Sequence, residues 1–209
     1  MNKLLLTGAT GFIGSNLITR LLKDGYEITI LTRKESRKKI SEIRLPIQVF
    51  EYDYQIDSLV DFFEKSQFDL VIHLASHFTV NHSSEELDHI IKSNILLPTH
   101  LLEAMVYSKT KYLINTSSSW TSYHSNDYRP TNLYASSKKA IEDIIEYYID
   151  AFRIKTINLV LYETYGPNDN RRKIINILKE AYANNKSIKL TKGEQKLDFV
   201  HIDDVVNAY

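Results

Sequence analysis

Thr7-Gly8-Ala9-Thr10-Gly11-Phe12-Ile13-Gly14 decides the fold of this chain. An apolar run at 3–6 leads into it, and apolar residues at helical spacing over 12–23 lead out. A strand that turns through three glycines into a helix reads as a phosphate-cradling βα unit. Gly8 lets the chain turn sharply, Gly11 lets backbone approach a pyrophosphate, and Gly14 lets the helix pack on the sheet. The helix N-terminus offers unpaired N–H groups and the positive end of its dipole. The plainer reading, a glycine-rich turn without a ligand, has the strand before and the helix after it as evidence against it.

Outward from this turn, short apolar runs alternate with helical patterns. Strands are expected at 3–6, 27–31, 47–50, 70–73, 112–115 and 156–161, with helical spacing at 12–23 and 87–107. The alternation predicts an α/β fold of the Rossmann type, a doubly wound parallel sheet with helices on both faces. Such sheets bind ligands beyond the carboxyl ends of their strands. After Gly166-Pro167 the texture changes to a helix near 173–184 and short strands near 188–190 and 197–200. The expected division is a dinucleotide-binding domain at 1–165 and an incomplete substrate-binding region at 166–209.

The second strand ends Leu31-Thr32-Arg33-Lys34, with Arg37 close behind. An acidic residue there grips the ribose 2′-hydroxyl of NAD, whereas a cation suits the 2′-phosphate of NADP. Arg33 therefore points to NADP, with NAD as the alternative, while Lys38 and Lys39 read as a solvated basic surface. Asp53 and the segment Leu74-Ala75-Ser76 follow the third and fourth strands, positions that border a bound dinucleotide. Alone, an Asp after a strand reads as a turn or cap residue. His73 reads as a packed strand-end histidine.

Tyr134 and Lys138 stand four residues apart in a helical segment, on one face. A free phenol has a pKa of about 10, too high for efficient base catalysis near neutrality. A neighbouring ammonium lowers it, so that the tyrosine can exchange a proton with an alcohol or ketone oxygen.

Bulk composition narrows the class. Lys+Arg and Asp+Glu both number 26 in 209 residues, so net charge recommends no nucleic-acid partner. Cysteine is absent, which excludes disulfides and thiolate metal sites; no metal is expected. Neither a signal-peptide pattern nor a membrane-spanning run is seen, so a cytoplasmic location is expected.

These residues together resemble the extended short-chain dehydrogenase/reductase family, the NAD(P)-dependent epimerases and dehydratases of nucleotide-sugars. The resemblance rests on the glycine turn, Asp53, His73-Leu74-Ala75-Ser76, Asn94, Ser117-Ser118-Ser119, Tyr134-Ala135-Ser136-Ser137-Lys138, Tyr165-Gly166-Pro167 and the run Asp198 to Val205. It implies a cofactor site of Gly8, Thr10, Gly11, Phe12, Ile13, Gly14, Arg33, Asp53, Tyr54, Leu74, Ala75, Ser76, Asn94, Thr116, Tyr134 and Lys138. It implies catalysis by Ser119, Tyr134 and Lys138, with Ser118 as the alternative hydroxyl, because Tyr123 follows Ser119 by four positions. For the nucleotide-sugar substrate it implies Thr79, Ser119, Trp120, Glu163 and Arg171. A homodimer through the helices at 87–107 and around Tyr134 is a further implication.

Three departures from the family pattern refine the reading. Trp120-Thr121 stands where 4,6-dehydratases of the family carry Asp-Glu, which removes the acid/base pair that eliminates water. Arg33 favours an exchangeable NADPH over a resident NAD. Val160 and Glu163 replace an Arg and an Asn, and the latter commonly contacts the nucleotide-sugar. The run from Tyr165 to Lys173 is similar to that of 4-ketoreductases forming dideoxyhexoses on CDP, the abequose and paratose synthases, where Arg171, Arg172 or Lys173 would meet a diphosphate. Asp198, Asp203 and Asp204 read as structural.

The leading expectation is NADPH-dependent reduction of a 4-keto-deoxysugar nucleotide in surface polysaccharide synthesis. The alternatives are a C4 epimerase with tightly held NAD and a non-catalytic dinucleotide sensor. The family continues for roughly another hundred residues, so a chain ending at Tyr209 leaves the substrate lobe incomplete.

Overall fold

The computed structural model describes residues 2–36, 40, 45–122, 129–190, 192–194 and 196–209. Arg37, Lys38, Lys39 and Tyr123 lie outside the described residues.

The chain forms two compact units, Met1–Leu161 and Tyr162–Tyr209. In the first, β1 (Lys3–Thr7), α1 (Phe12–Lys23), β2 (Glu27–Arg33), β3 (Gln48–Tyr52), α2 (Ile56–Ser66) and β4 (Leu70–His73) come in turn. They are followed by α3 (Leu87–Ile91), a π-helical turn (Lys92–Leu96), α4 (Leu97–Ser108), β5 (Tyr112–Ser118), α5 (Leu133–Phe152) and β6 (Lys155–Leu161). The strands make one parallel sheet in the order β3-β2-β1-β4-β5-β6. The order reverses between β1 and β4, and this is where a doubly wound sheet opens a crevice.

The sequence forms these elements for plain reasons. Leu4, Leu5 and Leu6 are buried on both faces, as a central parallel strand requires. Leu17, Ile18 and Leu21 give α1 one apolar stripe, and Leu101, Leu102 and Met105 do the same for α4. On α5, Ile141 and Ile145 enter the same core as Leu101, Val71 and Leu113.

The helix expected at 87–107 is interrupted: its middle turn is π-helical, and Ser93 and Asn94 are buried there. Asn94 commits its whole amide to neighbouring segments, and a widened turn gives its side chain that reach.

In the second unit, β7 (Glu163–Tyr165) pairs in parallel with β8 (Phe199–His201), beside α6 (Ile174–Ala183) and α7 (Ile202–Ala208). The strand expected at 188–190 does not form; those residues are irregular and Leu190 is exposed. The partner of β8 is instead the segment at 163–165.

Candidate active site

β1 ends in Thr7, whose hydroxyl fixes the crevice. Thr7 Oγ1 accepts from Leu74 N at 3.1 Å and Ala75 N at 3.0 Å, tying the turn after β4 to the end of β1. With two donors already received, the hydroxyl gives its own hydrogen to His73 Nδ1 at 2.9 Å. His73 is therefore the Nε2–H tautomer, and burial, with the Lys138 charge beside it, pushes its pKa down to about 3. It is a structural histidine, as its sequence position suggested.

Gly8 adopts φ +73°, and a Cβ there would stand 2.7 Å from Ala75 N. At Gly14 a Cβ would stand 2.3 Å from the Gly8 carbonyl oxygen. Both glycines are thus required by close backbone approach. Gly11 is the N-cap of α1 and has no side-chain cap, so the first N–H groups of the helix keep no side-chain acceptor. Thr10, Phe12 and Ile13 complete this turn.

A cleft of about 180 Å³ opens above it, bounded by Gly8, Gly11, Arg33, Leu74, Ala75 and Ser76. No carboxylate pairs with Arg33 among the described residues. A cradle that excludes side chains, an open helix N-terminus and a cation at the second strand's end fit a dinucleotide.

Asp53 and Tyr54 follow β3. Asp53 does not line the cleft; its Oδ1 accepts from Gln55 N (3.0 Å) and Ser58 Oγ (2.9 Å) at the start of α2. Those hydrogen bonds hold its carboxyl below the usual range. Tyr54 sits at φ +66° with its ring 5.0 Å from that of Tyr52.

The proton-handling group lies at the far side of Ser76. The Ser118 and Ser76 hydroxyls lie beside the Tyr134 phenol and pull its pKa down. Ser76 Oγ also donates to Asn94 Oδ1 at 3.0 Å. Asn94 Oδ1 accepts a second bond from His77 N (2.7 Å), and its Nδ2 donates to His77 O (3.1 Å) and Ser137 Oγ (2.9 Å). All four capacities of that amide are used, so Asn94 holds the loop after β4 against α5.

The hydroxyl brought to Tyr134 is that of Ser118, at the end of β5. Ser119 instead opens a short 3₁₀ turn, Ser119–Thr121. Ser117 donates to Glu142 Oε1, a contact to α5 that the sequence did not signal.

Lys138 is buried, and its Nζ donates to Thr116 O at 3.0 Å. Burial pulls its ammonium down to about 8, with the Glu142 carboxylate acting the other way. Lys138 was expected to bring the Tyr134 phenol down, yet burial holds the phenol above its ordinary value. The neighbouring Ser118 and Ser76 hydroxyls offset that only in part.

Of the residues expected to meet substrate, Trp120 lies near Tyr134 through Phe78: the Phe78 ring is 5.5 Å from Trp120 and 5.0 Å from Tyr134. Thr79 is in the next position, its hydroxyl donated to Asn81 O at 3.1 Å. Glu163 and Arg171 belong to the second unit. There Glu163 pairs with Lys173 Nζ at 2.9 Å, and Arg171 grips Asp169 and Thr164. The guanidinium thus serves the turn after β7.

Sequence reasoning missed Phe78, Asn132 and Glu142. Asn132 carried a readable signal, an Asn just before a helical run. Its Oδ1 caps α5 at Ala135 N (2.9 Å), and its Nδ2 donates to Thr79 O (3.3 Å) and Val80 O (3.1 Å).

Comparison with known proteins agrees with this geometry. The sequence pattern of the NAD dependent epimerase/dehydratase family matches residues 4–209. The CDP-abequose synthase of Salmonella muenchen is 34% identical over 209 residues, 99% of this chain and 68% of that protein. Among solved structures, the UDP-glucose 4-epimerase of Thermotoga maritima with UDP-glucose superimposes with TM-score 0.87 at 24% identity, over 99% of this chain and 71% of that one. The UDP-glucuronic acid 4-epimerase of Bacillus cereus, in complex with UDP-glucuronic acid and NAD, gives TM-score 0.81 at 25% identity, over 98% and 70%.

Proposed function

The chain belongs to the NAD dependent epimerase/dehydratase family, and from that premise we propose that it is an NADPH-dependent reductase of a 4-keto-deoxysugar nucleotide. One observation carries the reading. Ser76 lines the dinucleotide cleft and its hydroxyl lies beside the Tyr134 phenol, so the proton donor abuts the place where a nicotinamide dinucleotide fits. The likeness to a CDP-abequose synthase supports the choice of a deoxysugar on a cytidine diphosphate.

The glycine turn and the α1 N-terminus would hold the pyrophosphate, and Arg33 would meet the 2′-phosphate, of a dinucleotide that would supply the hydride for the sugar's carbonyl carbon. Tyr134 gives its phenolic proton to the carbonyl oxygen, and Ser118 hydrogen-bonds that oxygen and orients it. A phenol kept protonated by burial suits the reductive direction, in which the tyrosine must donate. Lys138, fixed at Thr116 O, sets a positive charge behind the site. Water elimination has no acid/base pair: Trp120 is aromatic, and the Thr121 hydroxyl is donated to Ser118 O at 2.9 Å.

The test is turnover of a CDP-linked 4-keto-6-deoxyhexose with each reduced cofactor. NADPH is expected to be preferred by on the order of tenfold or more, with the preference lost in Arg33→Ala. Ser118→Ala is expected to slow turnover more than Ser119→Ala. Equal use of NADH would remove the argument from Arg33.

A second reading, a C4 epimerase with resident NAD, is favoured by the likeness to the Bacillus cereus enzyme with NAD. Cofactor absorbance persisting through gel filtration would select it. We also propose a homodimer through α3, α4 and α5, whose outer faces expose Ile91, Tyr107, Tyr147 and Phe152.

A further inference from the structure

We propose that Phe78 and Trp120 form an apolar wall that selects nucleotide-sugars lacking the hydroxyl groups at C3, beside the reacting C4, and at C6, one carbon beyond C5. The inference rests on the reductase reading and adds to it the device that chooses the sugar.

Phe78 is 50% exposed, although its ring meets Tyr134 edge-on at 5.0 Å and Trp120 at 5.5 Å. A large ring half open to water beside the proton donor leaves an apolar face unfilled. A sugar that brings its carbonyl oxygen to the Tyr134 hydroxyl presents neighbouring carbons to that face. A methyl or methylene group there leaves water favourably. A hydroxyl group there gives up its water and finds no partner on an aromatic face.

The wall is fixed on both sides of Phe78. Asn94 takes both the N–H and the carbonyl of His77, and Asn132 takes the carbonyls of Thr79 and Val80. The hydroxyl hydrogen of Thr79 is spent on Asn81 O. These groups are therefore committed to holding the loop, and the ring is pre-organised.

Trp120 is the single tryptophan of the chain, so its emission reports the wall directly. With NADPH present, the whole chain is titrated with CDP-abequose, a 3,6-dideoxyhexose derivative, and with CDP-glucose, which carries both hydroxyls. The dideoxy ligand is expected to bind on the order of tenfold tighter or more. Phe78→Leu keeps that preference and Phe78→Asn loses it, with thermal melts checking that both variants fold. Equal affinities in the unaltered chain, a preference that survives Phe78→Asn, or no change in emission with either ligand would each overturn the proposal. Turnover with the 4-keto substrate is followed separately. Its absence beside an intact binding preference counts against the reductase reading alone and leaves the wall standing.

Discussion

At the scale of single residues, the site sets charged chemistry against burial. Lys138 is the clearest case. Its folded pKa of about 8 lies below the usual lysine value, so between about 8 and 10.5 the unfolded chain holds the extra proton. Stability therefore rises with pH across that window, and below it the cost of a buried ammonium is present in full. Lys138→Met is expected to melt at a higher temperature than the unaltered chain near pH 7 and to lose turnover, with the stability gap narrowing toward pH 10.5. Melting curves across that range check it, and a lower melting temperature for the variant near pH 7 would count against it. The same balance explains why Tyr134 sits high: its environment favours the protonated phenol that reduction needs.

At the scale of elements, Asn132 joins two tasks. Its oxygen caps α5, the helix that carries Tyr134 and Lys138, and its nitrogen holds the loop that carries Phe78. Asn132→Ala is expected to cost about 1 kcal/mol of stability through the lost cap. Asn132→Asp keeps the capping oxygen and is expected to keep the stability, while both variants raise KM by freeing the loop. Chemical denaturation and steady-state kinetics separate the two effects. The elements themselves were largely legible in the sequence. The apolar runs at 3–6, 27–31 and 70–73 name buried parallel strands, and the glycines name the turn between β1 and α1. The strand pairing of Glu163–Tyr165 was not legible, because three residues carry no period and their partner lies far along the chain. Nor was the placement of Ser118, rather than Ser119, beside Tyr134, which depends on the 3₁₀ turn that follows β5. The hydrogen bonds of Asn94 were not legible either, because only the fold brings its amide to His77, Ser76 and Ser137.

At the scale of the molecule, composition alone restricts little, and the faces left open matter more. No helix among the described residues is long and apolar enough to cross a membrane. Tyr107 and Tyr147 are 58% and 59% exposed on α4 and α5. If those helices meet a second copy, light scattering gives twice the chain mass, and Tyr147→Asp shifts it to the single-chain value. A single-chain mass at every concentration would end the dimer proposal. The widened turn at Lys92–Leu96 has a consequence of another kind. A π turn holds one residue more than an α turn, so a one-codon deletion inside 92–96 would restore regular winding and leave α3 in phase with α4. Ile90 would keep its buried place, but the Asn94 amide would lose the widened turn from which it bonds both His77 and Ser137. Genetic variation in this stretch should therefore tolerate changes of letter far better than a change of length.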